Sequence, residues 1–228
     1  MGIVIDNSKL IELLKDKKLF VFDFDGTIAN TEPTQCRSYI ELLSEHFCDN
    51  SLNDSIFNSS YVGKTEFDIW REIGKDFGLN IDDEYILDLM FERRAIFEKM
   101  AKQYLKPFDY VYDIVSIFPD TKKIILSSDN YHTISSLLKY WNLLDSFSNI
   151  YAYEQLKEKD ISKASMLAII GMLYSSENIS SQDIVVFEDV DKYLHIAEHA
   201  GYLPIGIRNS YNEETLEFQG YILDMLSE

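Results

Sequence analysis

The chain has 228 residues, 46% of them apolar, and 39 acidic against 21 basic side chains leave it a formal charge of −18. Such a chain can bury a full core with room for one domain and a sizeable insertion, and no apolar run approaches the ~20 residues that span a bilayer. The acidic balance repels nucleic acid and anionic membrane surfaces at long range, so neither is expected as a partner. A small molecule is expected instead, and a phosphorylated one would need local cations to offset the same repulsion. The start, MGIVIDNSKLIELLKDKK, lacks the basic stretch and long apolar run of a signal peptide, and Cys36 and Cys48 lie in no CxxC or Cys/His pattern. A cytoplasmic protein without structural zinc or a disulfide framework is therefore expected.

An amphipathic segment with Leu10, Leu13 and Leu14 on one face precedes the first predicted strand, Leu19 to Phe24. Strand side chains alternate faces, so Asp23 and Asp25 are expected to point the same way as that strand ends. The pattern then turns helical to about residue 105. Pro33 suits the first turn of a helix over 34–47, and GKTEFDIWREIGKDFG supplies another with Phe67, Ile69, Trp70 and Ile73 as its apolar residues. A longer helix spans 82–104 before Pro107 breaks it. Strands and helices alternate from there: strand 122–128, helix 130–141, strand 149–153, helix 161–174, strand 183–187, helix 190–200, then YLPIGI and a final helix. This alternation predicts an α/β fold, a parallel sheet with helices on both faces and a ligand site at the strands' C-terminal ends. Residues 1–29 and 106–228 would form that core, and 30–105 a helical insertion.

Three of these strands end in polar residues at the expected site: Asp23 and Asp25, Ser127 and Ser128, Glu188 and Asp189. Lys163 opens the helix after a fourth. Each has an ordinary reading, since serines form turns, acidic pairs cap helices and a lysine at a helix start is commonly solvated. Together they bring a carboxylate pair, a hydroxyl, an ammonium and a further acidic pair to one sheet end. Two close carboxylates repel unless a cation or shared proton offsets them, which points to divalent-metal and phosphoryl chemistry.

In order and spacing, DFDGT (23–27), IILSS (124–128), SKAS (162–165) and VVFEDV (185–190) resemble the four motifs of the haloacid dehalogenase superfamily over nearly the whole chain. The insertion, with YVGKTEFDIW (61–70), resembles the helical cap of its β-phosphoglucomutase-like phosphatase branch. The resemblance implies a Rossmann-like three-layer core with a mobile cap. It implies that Asp23 is the nucleophile forming an aspartyl-phosphate and Asp25 the general acid and base. It further implies that Asp23, Asp189 and the backbone carbonyl of Asp25 hold Mg2+, with Glu188 as a direct or supporting ligand. Ser127 would hydrogen-bond a phosphoryl oxygen and Lys163 would pair with phosphate and Asp23. Gly26, Thr27 and Ser128 would line the phosphate site, and Tyr61 and Lys64 would be the cap-loop contacts to substrate.

The sequence also departs from that pattern. The third motif often reads Lys-Pro in this branch, whereas here Lys157 and Lys159 stand as rivals to Lys163; Asn30 occupies a position often acidic; Asp191 is a weaker acidic candidate. Asp25, two residues after the implied nucleophile, fits phosphate esters, because the family's dehalogenases and phosphonatases carry a non-acidic residue there. A Mg2+-dependent phosphatase acting on a small phosphorylated metabolite is the implied activity. A sugar-phosphate mutase is the alternative within the family, although Glu66 stands where its cap loop leads one to expect a basic residue. A phospho-acceptor signalling domain is the alternative outside it.

Overall fold

The computed structural model describes residues 2–48, 51–61 and 64–226. In chain order its elements are β1 (Ile3–Ile5), α1 (Asn7–Leu14), β2 (Leu19–Phe22), α2 (Glu32–Phe47), α3 (Asp54–Ser60), α4 (Glu66–Asp76), α5 (Asp83–Tyr104) and α6 (Asp109–Ile117). There follow β3 (Lys122–Leu126), α7 (Tyr131–Tyr140), β4 (Asn149–Tyr151), α8 (Tyr153–Glu158), α9 (Lys163–Leu173), β5 (Ile184–Glu188), α10 (Asp191–His199), β6 (Leu203–Arg208) and β7 (Tyr221–Asp224). Among the described residues, seven strands form one parallel sheet in the order β1-β7-β6-β5-β2-β3-β4. The expected Rossmann-like α/β architecture is present.

β2 is wholly buried between β3 and β5, and its period-2 alternation sorts side chains onto two packed faces. Leu19 and Val21 join Ile184 and Val186 of β5 in a cluster with Met166, Leu167 and Ile170 of α9. On the opposite face Phe22 stacks on Phe187 with ring centroids 4.5 Å apart, and Tyr110 of α6 packs against Phe187 at 5.8 Å. The register pairs Val21 with Val186 and Phe22 with Phe187. One step further along, Asp23 comes beside Glu188, on the face that α9 covers.

The chain divides into two compact units, Met1–Asn30 with Lys106–Glu228, and Thr31–Leu105. The second contains α2 to α5. Three of its helices, α3 to α5, start where side chains take up the first free N–H groups: Asn53 accepts from Ile56, Thr65 from Asp68 and Asp82 from Tyr85. Tyr39, Leu42, Phe57, Trp70, Ile73 and Leu89 are among the side chains of its core. Among the described residues, no helix is long and apolar enough to cross a membrane.

Among the described residues the final helix expected after YLPIGI is absent, and the segment returns as β7, inserted between β6 and β1. Two features override the helical reading of its charged stretch. Leu216 and Phe218 are buried with Leu194 and Ile222, and the Asp191 carboxylate accepts the N–H groups of Glu217 and Phe218 at 2.8 and 2.9 Å. β1 is likewise an element that its own short sequence does not announce, because it exists only through pairing with β7. The predicted strand over 19–24 stops at Phe22. Asp23 and Asp25 therefore leave the sheet in a turn instead of sharing a strand face.

Candidate active site

Beyond Phe22 the Asp23 N–H still bonds the Phe187 carbonyl at 3.0 Å, after which the chain turns. Ile28 N–H reaches the Phe24 carbonyl and Gly26 N–H the Ala29 carbonyl, both at 2.9 Å. Gly26 is required here twice over. Its φ is +70°, and a Cβ would lie 2.1 Å from Asp189 Oδ2. The carboxylate of β5's exit loop thus packs directly onto the backbone of the β2 turn.

Lys163, the first residue of α9, reaches under this turn. Ser162 caps the helix by accepting the Ser165 N–H at 3.1 Å. The Lys163 ammonium lies 2.7 Å from Asp23 Oδ1 and 2.8 Å from Glu188 Oε2, with the Tyr193 ring centroid at 4.3 Å. Asp23, Glu188 and Lys163 are all buried. Burial works against the charge on Lys163, but Asp23 and Glu188 outweigh it and hold the ammonium above the ordinary lysine value. Burial and the charge of Asp23 push Glu188 well above the usual carboxylate range, while Lys163 opposes them.

Asp23, Glu188 and Asp189 each offer a carboxylate oxygen within 4.8 Å of the others. Three carboxylates against one ammonium leave this buried space negative if all are ionised, and an all-oxygen donor set suits a hard divalent cation such as Mg2+. The close packing of Asp189 on Gly26 keeps two of the loops concerned together. Both Glu188 oxygens are engaged: Oε2 pairs with the lysine and Oε1 accepts the Asp189 N–H at 3.3 Å.

The other candidates separate clearly. Asp25 is half-buried in the turn, and its carboxylate is not among the three that converge. Ser127 is buried at the end of β3, where its Oγ accepts the Asp129 N–H at 3.0 Å. Ser128 is exposed and lines an open cleft of about 310 Å³ with Tyr153, Lys157, Ile161 and Lys163. Of the three lysines, only Lys163 meets Asp23. Lys157 lies over the Tyr153 ring at 5.5 Å, and Lys159 is an exposed residue ending α8.

The expectation that Tyr61 contacts a ligand is corrected, because Tyr61 is buried. Gly26 spends both backbone groups on protein, its N–H on Ala29 and its carbonyl on Asn209, and Thr27 is fully buried with its carbonyl bonded by the Tyr110 hydroxyl at 2.7 Å. Both shape the turn, and the buried Thr27 hydroxyl has no hydrogen-bond partner among the described residues. Tyr61 is buried in the helical unit's core, where its hydroxyl donates to Asp76 at 2.9 Å, and Lys64 is paired with Glu72. Of the rest of that loop, Val62 and Gly63 lie outside the described residues. Asp191 tethers the chain before β7 and does not join the cluster. Sequence reasoning missed Tyr193 beside Lys163, and Asn209 and Asn212 after β6. The available signal was their position at the same sheet end as the acidic residues.

Comparison with known proteins identifies the family. Residues 20–207 match the family model described as haloacid dehalogenase-like hydrolase. "Putative phosphatase YhcW" of Bacillus subtilis (strain 168) is 25% identical over 205 residues, covering 90% of this chain and 89% of its own. CbbY from Rhodobacter sphaeroides, solved in complex with phosphate, superposes with a TM-score of 0.73 at 15% identity, covering 91% of this chain and 93% of that one. The Thermotoga maritima "putative beta-phosphoglucomutase" also gives 0.73, at 18% identity over 91% and 94%. With its motifs gathered at one end of this sheet and the family model spanning them all, the chain belongs to the haloacid dehalogenase-like hydrolases.

Proposed function

We propose that this hydrolase is a Mg2+-dependent phosphatase acting on a small phosphate monoester. The observation that carries the reading is the buried ammonium of Lys163, 2.7 Å from Asp23, in a cluster with Glu188 and Asp189. An isolated nucleophilic carboxylate would repel a phosphate ester, and the lysine both orients Asp23 and lowers that repulsion. An Asp23 oxygen attacks phosphorus as the bond to the leaving oxygen breaks, giving an aspartyl-phosphate. Asp25 supplies the proton that the leaving oxygen needs. It then takes one from a water attacking the same phosphorus, which releases inorganic phosphate and restores Asp23. Ser127 donates a hydrogen bond from its hydroxyl to a phosphoryl oxygen. Asp23, Asp189 and the backbone carbonyl of Asp25 would hold Mg2+, which when bound supplies positive charge against the anionic phosphoryl group. Glu188 acts through Lys163.

The helical unit is proposed as the cap that selects the substrate. Two of its cations, Arg93 and Arg94, are paired to Glu66 at 2.5 and 2.6 Å, and Glu66 itself stands where the mutase resemblance leads one to expect a basic residue, so the phosphatase reading is preferred to the mutase one. The size of that unit, Thr31–Leu105, also sets the chain apart from a bare phospho-acceptor domain. The partner is proposed to be a phosphorylated metabolite, with neither nucleic acid nor membrane, on the ground of the charge of −18.

The test is a screen of phosphorylated metabolites with Mg2+, beside Asp23→Asn. We expect wild-type turnover and none in the variant, with the variant melting as a folded protein. Normal activity in Asp23→Asn would remove Asp23 as nucleophile. A stable aspartyl-phosphate formed without turnover would favour signalling.

A further inference from the structure

The loop after β6 holds two buried asparagines that belong to none of the motifs above. Asn209 Nδ2 donates to the Gly26 carbonyl at 2.8 Å and lies 3.3 Å from Asp189 Oδ2, while its Oδ1 accepts the N–H groups of Tyr211 and Asn212 at 2.8 and 3.1 Å. Asn212 Nδ2 donates to the Asp189 and Ile207 carbonyls, both at 2.8 Å, and its Oδ1 accepts the Asn209 N–H at 2.8 Å. Ser210, between them, accepts from Asn30 at 2.8 Å. A single short loop therefore bonds to both acidic turns. The contact is tight, because a Cβ on Gly26 would come within 2.9 Å of Asn209 Nδ2.

From this geometry we infer that Asn209 is a positioning residue for the divalent cation, its amide fixing the Asp189 carboxylate and the β2 turn in one arrangement. The inference rests on the proposed Mg2+ site. β2 and β5 are joined by ladder bonds only up to the level of Asp23, so beyond it the turns need another tie to hold their ligands in register. The Asn209 amide spans that gap, with one nitrogen near both loops. A donor on a ligating carboxylate restricts its rotation, so the cation meets a preset oxygen and not a mobile one. Asn212 holds the Asp189 backbone and the loop's own shape, and it does not touch the carboxylate.

The experiment compares Mg2+ binding by calorimetry, and the Mg2+ dependence of kcat, in wild type, Asn209→Ala, Asn209→Ser and Asn212→Ala. Serine can still accept the loop N–H groups but is too short to reach Gly26 and Asp189, so it separates loop folding from ligand positioning. We expect both Asn209 variants to bind Mg2+ about tenfold or more weakly and to need correspondingly more of it for half-maximal kcat. Asn212→Ala should lower the melting temperature with a smaller change in Mg2+ affinity. Asn209→Ser melting cooperatively and binding Mg2+ within about threefold of wild type would overturn the inference alone. A wild type that binds no Mg2+ would overturn it together with the functional reading.

Discussion

The Lys163 ammonium sits between two buried carboxylates and offsets the repulsion between them. Asp23 and Glu188 are neighbours across β2 and β5 on one face, a like-charge pairing that costs stability unless a cation intervenes. Replacing Lys163 by methionine keeps the volume and removes the charge. We expect a loss of about 3–5 kcal/mol in urea unfolding and no measurable turnover. Glu188→Gln added to Lys163→Met should recover part of that stability and none of the activity; recovered activity would refute the role given to the lysine. The key residues at this scale were legible because strand alternation and helix starts are local: Asp23, Lys163 and Asp189 could be placed at strand or helix ends from their neighbours alone. Tyr61 was misread for the opposite reason. Whether a tyrosine in a loop faces ligand or core depends on Phe57 and Trp70, brought to it by packing and not by adjacency.

At the scale of elements, the chain between β6 and β7 shows how side chains replace a helix. Asp191 begins α10, yet its carboxylate serves the N–H groups of Glu217 and Phe218 across the sheet end. A helical reading of residues after 208 assumes that those donors need a helix, and the aspartate satisfies them without one. Asp191→Ala should therefore cost about 1–3 kcal/mol in thermal or urea unfolding with kcat unchanged at temperatures where it stays folded. A fall in kcat of tenfold or more in a fully folded Asp191→Ala would return it to the list of chemical groups. The strongly periodic helices were readable within a residue or two at most ends, since Thr65 and Asp82 mark their starts by hydrogen bonding. Short strands such as β1 were not, because a strand of three residues has no pattern of its own and is defined by its partner.

Over the whole molecule, the charge of −18 sets a field through which an anionic substrate must pass before it meets Lys163. Screening weakens that repulsion, since the Debye length shrinks to about 10 Å at 0.1 M salt. At saturating Mg2+ we expect KM for a phosphate ester to fall as NaCl rises from about 20 to 200 mM, with kcat nearly constant. A KM that rises over this range would show that local cations dominate the approach. The amino-acid sequence alone determined the alternation of strands and helices, the placing of acidic and hydroxyl groups at strand ends, and thereby the class of chemistry, because each follows from side-chain period over a few residues. Tertiary structure decided which lysine meets Asp23, that β7 enters the sheet beside β1, and that Asn209 bridges Gly26 and Asp189. Apart from the Asn209–Asp189 contact, which spans 20 positions, those outcomes join residues from 140 to more than 200 positions apart, and only the order in which strands pair brings such groups within bonding distance.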